Sequence, residues 1–125
     1  MSGAGSQRAD RIGRYRRGRT SEHIAAALLI AKGYRILARR HRTPSGEIDL
    51  IAKRGRRLAF VEVKARANRA EAEAALKAGQ TQRMRRAADF WLSRHPRYDD
   101  FSIGFDAVFV LPWRWPIHVP DALQK

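Results

Sequence analysis

The stretch Gly46–Arg66, GEIDLIAKRGRRLAFVEVKAR, sets two apolar, β-branched runs around a basic turn, which is the pattern of a β-hairpin. Three carboxylates, Glu47, Asp49 and Glu62, fall inside the strands rather than at their ends. Side chains alternate along a strand. Ala59, Val61, Val63 and Ala65 therefore share one face of the second strand, and Leu58, Phe60, Glu62 and Lys64 the other. On the first strand Ile48, Leu50 and Ala52 oppose Glu47, Asp49 and Ile51. One face is wholly apolar; the other is apolar near the turn and charged at the far end.

Register decides how close the acids come. A two-residue turn at Gly55-Arg56 sets Asp49 across from Glu62, whereas a turn at Arg54-Gly55 sets Glu47 there with Asp49 diagonal. Both leave Asp49, Glu62 and Lys64 on one face. Like charges opposed in a sheet cost a few tenths to about 1 kcal/mol, and more when partly buried. Lys64 and neighbouring arginines offer one remedy, a structural ion-pair cluster. The other is a hard divalent cation. Mg²⁺ takes oxygen ligands at about 2.0–2.1 Å and is often held by one or two carboxylates. Asp49 and Glu62 are the candidate ligands, with the Val63 carbonyl as a third. Lys64 would then orient a water or stabilise charge forming on a phosphate. Glu47 reads as the partner of an arginine, with an outer-shell acid as the alternative.

The rest of the chain fits a small mixed α/β domain, read as a basic arm over residues 1–19 and one domain over 20–125. A helix is expected from Ser21, as cap, to Gly33, with Ile24, Leu28 and Ala31 on its buried stripe and Ala25 and Leu29 extending it. Tyr34–Arg39 alternates as a strand, and Thr43-Pro44-Ser45-Gly46 is turn chemistry. Asn68–Lys77 reads as a weak helix or a mobile loop. A second main helix is expected over Thr81–Arg94, with Met84, Ala87, Ala88, Trp91 and Leu92 inward. Ile103–Leu111 reads as a core strand and Trp115–Val119 as a short last one.

Charge narrows the partners. The 125 residues carry 26 Lys and Arg against 12 Asp and Glu, a net charge of +14. Such an excess draws polyanions, nucleic acid first and anionic membrane surfaces second; a merely solubilising basic surface is the plainer explanation. Arg16, Arg17 and Arg19 in the arm, Arg40 and Arg42 around His41, and Arg66, Arg83 and Arg86 are the candidate phosphate contacts. Trp113 and Trp115 read first as packing residues between Pro112 and Pro116, and second as stacking partners for bases. His23, His41, His95 and His118 read as surface or capping residues. With no cysteine there is no thiolate chemistry, and a reducing compartment is expected. No apolar run approaches the roughly 20 residues that span a bilayer, so a cytoplasmic protein is the expectation.

Asp49 followed by Glu62-Val63-Lys64 resembles the D…ExK signature of the PD-(D/E)xK, or restriction-endonuclease-like, nuclease superfamily. GEIDLIA at Gly46–Ala52 and FVEVKAR at Phe60–Arg66 more closely resemble the UPF0102 (YraN-like) family, itself similar to archaeal-type Holliday junction resolvases. The resemblance spans roughly Gly18–Val119. It implies a helix, three strands, helix, strand core with a mixed sheet flanked by helices. It also implies a Mg²⁺-dependent, or Mn²⁺-supported, endonuclease acting on DNA, with branched structures as substrates. The catalytic set carried over is Glu22, Asp49, Glu62 and Lys64, with Glu22 as an additional acid toward the metal. That family tends to read G-x-x-G-E where this chain has Gly18-Arg19-Thr20-Ser21-Glu22. Asp106 matches a recurrent Asp, read as structural. Homodimers are common among junction-cleaving relatives. A nucleic-acid-binding protein with a vestigial or partner-dependent site is the alternative.

Overall fold

The computed structural model describes residues 19–79 and 81–123. Nearly all of the expected arm, including Arg16 and Arg17, lies outside these residues. Five strands form one mixed sheet in chain order: β1 (Arg35–Thr43), β2 (Gly46–Arg54), β3 (Arg57–Ala65), β4 (Ser102–Val110) and β5 (Ile117–Val119). All neighbours are antiparallel except β3 and β4, which run parallel. A parallel step needs a long crossover, supplied by α2 (Arg69–Ala78) and α3 (Thr81–Ser93). With α1 (residues 19–31) before β1, the expected mixed α/β architecture is present.

The helices cover opposite faces. Ala25, Ala26 and Leu29 of α1 pack on Leu50, Ala52, Ala59, Val61 and Val108. On the other face Met84, Ala87, Ala88 and Trp91 of α3 pack on Ile51, Leu58, Phe60 and Phe105. Beside them Ala72 and Leu76 of α2 cover Ala107 and Phe109. Of the expected stripe Ala25 and Leu29 are buried and Leu28 partly so, but the face is rotated toward Ala26, and Ile24 and Ala31 are exposed. Alanine at 25 and 26 lets the helix approach the sheet, where isoleucine would hold it off. Ser21, expected as the cap, is a buried residue inside the helix, which already includes residues 19 and 20. At the other end Gly33 adopts φ 93°. Its N–H donates to Ile30 and that of Tyr34 to Leu29, a glycine-closed helix end as the sequence implies.

Asn68–Lys77 resolves as a helix because Asn68 caps it: the Asn68 side chain accepts from the Glu71 amide at 2.9 Å. Arg69 and Glu73 then pair one turn apart at 2.8 Å. β1 runs four residues beyond the expected Arg39, to Thr43. Its basic end is held in register, Arg42 against Glu47, by a turn in which Thr43 Oγ1 accepts the Ser45 and Gly46 amides.

One charge network ties the far edge together. Asp106 on β4 has no exposed surface. It accepts two parallel bonds from Arg57 at 2.7 and 2.8 Å, one from the Asp121 amide at 2.9 Å, and contacts His118 Nε2 at 2.8 Å. Burial alone would raise its pKa, but the donors from Arg57, His118 and Asp121 win and hold it well below the ordinary carboxylate range. His118, expected at the surface, is thus an interior partner with a side chain 2% exposed. Gly104 makes room for the guanidinium: a Cβ there would come within 2.2 Å of Arg57 Nη2. Leaving Arg57 without its counter-charge should be severe. Asp106→Asn is expected to cost about 3–5 kcal/mol in urea unfolding, and Gly104→Ala is expected to destabilise in the same direction. Because the native pKa of Asp106 is depressed, its contribution is complete above about pH 4 and lost as pH falls further; acid unfolding of Asp106→Asn should show a correspondingly shallower slope.

Candidate functional site

The hairpin turns at Gly55-Arg56, with Arg54 paired to Arg57. Of the two registers the sequence allows, this is the one that would set Asp49 across from Glu62 if the ladder continued past Leu50. The antiparallel ladder runs regularly to Leu50 opposite Val61. Beyond that rung the Val63 amide donates to Asp49 Oδ2 at 2.8 Å, so a side-chain carboxylate replaces the strand carbonyl. An extended residue presents its N–H and C=O to the same edge, which turns the Val63 carbonyl toward Asp49 as well. The alternation on β2 breaks here: Ile48 packs with the α3-side cluster, whereas Leu50 packs with α1. On the other flank, Arg40 lies between Arg39 opposite Leu50 and His41 opposite Ile48, with φ 50°.

Four acids crowd this end of the sheet. Half-buried Asp49 is raised to about 7, first by burial and then by the charges of Glu62, Glu22 and Glu47, with the Val63 amide opposing the shift. Each of the other three carboxylates has a cation. Glu62 pairs with Lys64 at 2.9 Å, Glu47 with Arg42 at 3.5 Å, and Glu22 with the Arg40 side chain. Among the described residues Asp49 has only the Val63 amide. The arginine partnership expected of Glu47 is present, and Arg40 turns inward to Glu22 rather than outward.

A cleft of about 310 Å³ opens beside these residues, lined by Glu47, Glu62, Lys64 and Arg83 over the apolar Leu76 and Met84. Asp49 does not line it. Glu62 and Lys64 are each about one-quarter exposed or less and face it directly. Arg83 also donates to the Ser45 carbonyl at 3.4 Å. Arg42, Arg66 and Arg86 are exposed. The sheet end therefore has acids at its centre and cationic side chains around it.

For a metal ion, the donors on offer are the Asp49 and Glu62 carboxylates and the Val63 carbonyl. Among the described residues no group of three or more His, Asp or Glu is arranged to hold an ion. A set of two carboxylates and a carbonyl, all oxygen, fits the coordination habit of Mg²⁺ with water completing its shell. The raised Asp49 marks a carboxylate whose charge a divalent cation would offset. Glu22 stays with Arg40 and is not brought into that set.

Two features escaped the sequence reading. Trp113 and Trp115, expected to seal the core, stand 102% and 85% exposed. His41, expected as a surface or capping residue, has a buried Nε2 with no hydrogen-bond partner among the described residues. The flanking prolines obscured the first, since such a segment reads equally as an edge seal.

The sequence matches the model of the "Uncharacterised protein family UPF0102" over residues 21–110. Similar curated proteins include a UPF0102 protein of Mesorhizobium japonicum, 58% identical over 108 residues that cover 86% of each chain. A UPF0102 protein of Rhodopseudomonas palustris is 53% identical over 92% of this chain and 85% of its own. One of Sinorhizobium fredii is 51% identical over 86% and 88%. Among the described residues no helix is long and apolar enough to cross a membrane.

The Asp49 environment has two measurable consequences. Its native pKa lies above the unfolded value of 3.8, so its contribution favours folding at low pH and is lost as pH rises through about 7. Asp49→Asn keeps an acceptor for the Val63 amide and removes the charge; it should stabilise the protein at pH 8 by about 2 kcal/mol in urea unfolding. Calorimetric Mg²⁺ affinity should rise about tenfold between pH 6 and pH 8, as the carboxyl sheds its proton, and vanish in Asp49→Asn. A destabilised Asp49→Asn that still binds Mg²⁺ would contradict this reading.

Proposed function

We propose that this chain, which belongs to the UPF0102 family, is a Mg²⁺-dependent endonuclease acting on DNA. The observation that carries the reading is the fork between β2 and β3. There Asp49 is anchored on the Val63 amide while Glu62 and Lys64, two residues apart on β3, face an open cleft. Acids and an amine on one rigid strand end are a suitable arrangement for displacing a group at phosphorus, where positioning and charge stabilisation supply most of the rate.

In that reaction Asp49, Glu62 and the Val63 carbonyl hold the ion, and the ion when bound supplies Lewis acidity toward a phosphate oxygen. Lys64 has the cleft on one side and Glu62 on the other. Its ammonium orients the attacking water or meets the charge that grows on the phosphate. Glu22, held by Arg40, acts as a more distant acid that keeps the local field negative. Arg42, Arg66, Arg83 and Arg86 contact phosphates outside the scissile position, and the net charge of +14 draws the substrate in.

A second reading has its own observation. The Glu62–Lys64 and Glu22–Arg40 pairs already neutralise two acids without any ion, as suits a nucleic-acid-binding protein whose cleavage site is vestigial or completed by a partner.

Incubation with linear, flapped and four-way-junction DNA in Mg²⁺ or Mn²⁺ separates the two. The nuclease reading expects strand scission, with Glu62→Gln and Lys64→Ala each reducing the rate by at least about 100-fold and leaving the far-UV circular dichroism unchanged. DNA binding without scission on any of the three substrates would favour the second reading.

A further inference from the structure

Among the described residues Trp113 and Trp115 are the most exposed of the large apolar side chains, and neither joins any of the three core clusters. Arg114 between them is exposed too. Leaving two indoles in water forgoes the gain of burying their large apolar surface. Trp113 also holds φ at 62°, a left-handed conformation that is unfavourable for a bulky residue. Nothing in the packing repays either cost. Strain at an exposed position that contributes no core contact is characteristic of binding surfaces.

The place of this loop in the sheet gives it a use. It leaves the C-terminal end of β4, whose parallel partner is the C-terminal end of β3. Lys64 lies opposite Phe109, Ala65 opposite Val110, and the Arg66 amide donates to the Val110 carbonyl at 3.2 Å. Trp113 is thus four residues along the chain from the rung that carries Lys64, a reach of about 13 Å at most. The loop and the acidic fork share one end of the molecule.

Its charge selects the partner. From Ala107 to Val119 the chain contains no carboxylate, while Arg114 sits between the indoles and exposed Arg66 borders the loop. A flat aromatic pair spaced by a guanidinium suits bases strung on a phosphate backbone, each base stacking on an indole and the phosphate meeting the arginine. Bases inside a duplex are already stacked on one another, so only unpaired bases can use the indoles.

We propose that Trp113, Arg114 and Trp115 form a platform for unpaired bases. It makes the substrate a nucleic acid with a single-stranded segment close to the cleavage point, such as a flap or a duplex-to-single-strand junction. This rests on the reading of the fork as a site for nucleic acid, but the platform binds with or without an ion.

The test is binding in EDTA, with the full chain and its Asp49→Asn form, so that cleavage plays no part. Probes are a thymidine 20-mer and a blunt duplex of the same length. The chain has three tryptophans, and Trp91 is buried, so fluorescence reports mainly on the loop. The thymidine oligomer is expected to quench this emission and shield it from acrylamide. Trp113→Ala/Trp115→Ala should lose at least tenfold in affinity for the oligomer and less than twofold for the duplex, with an unchanged melting temperature; Trp→Phe at both positions should restore most of the loss. Equal loss for both probes, or none for either, would overturn the platform and leave the nuclease reading standing. Failure of the unaltered protein to bind either probe would overturn both. A tryptophan-dependent association with anionic vesicles, or self-association in sedimentation, without oligomer binding would assign the loop to a membrane or to a second copy instead and overturn the proposal.

Discussion

The Val63 amide finds its acceptor in the Asp49 carboxylate, and that single substitution of side chain for backbone organises this end of the molecule. A regular hairpin would carry its ladder on to the next rung and close the strands over the acids. Here β2 departs after Leu50, its alternation breaks, and Arg40 across from it takes a left-handed turn toward Glu22. The strand end becomes a fork with a carboxylate in its crotch. Burial and three neighbouring acids raise Asp49 to about 7, while the rest of the sheet is secured elsewhere.

That security comes from the opposite edge. Asp106 and Arg57 join β4 to β3 at the turn end of the hairpin, with His118 and Asp121 closing β5 and the segment after it onto the same carboxylate. Each donor and acceptor there is matched, so the ions are buried without orphaned charge. The molecule thus holds two carboxylate arrangements of opposite character. One is satisfied, depressed in pKa and structural; the other is crowded, raised and placed beside a cleft. Perturbation by burial plus specific charges at a cleft is the usual mark of a working group, and the proposed nuclease chemistry draws on the second alone.

Much of this was legible in the residues. The hairpin and its Gly55-Arg56 turn, one of the two allowed, followed from alternation and turn chemistry. The break at Ile48 was not, because strict alternation carries no information about where two strands part. α2 was left undecided between helix and loop because its alanines and glutamates give a weak apolar stripe; the Asn68 cap, a strictly local signal, was the better guide. On α1 the expected stripe holds at Ala25 and Leu29 and fails at Ile24 and Ala31, because the small residues Ala25 and Ala26 set the approach to the sheet. The bond between Arg57 and Asp106 spans 49 positions of sequence, beyond any local pattern. For Trp113 and Trp115 composition alone could not separate a seal from a platform, since both use aromatic residues held by prolines.

The proposed metal site requires Asp49 to be an under-compensated carboxylate whose charge a divalent cation would offset. Carboxyl-carbon NMR, following Asp49 through a pH titration in EDTA and again in excess Mg²⁺, addresses it directly. A midpoint near 7 is expected without the ion, with a fall of at least about two units in its presence. A midpoint near the ordinary 3.8, unmoved by Mg²⁺, would contradict it.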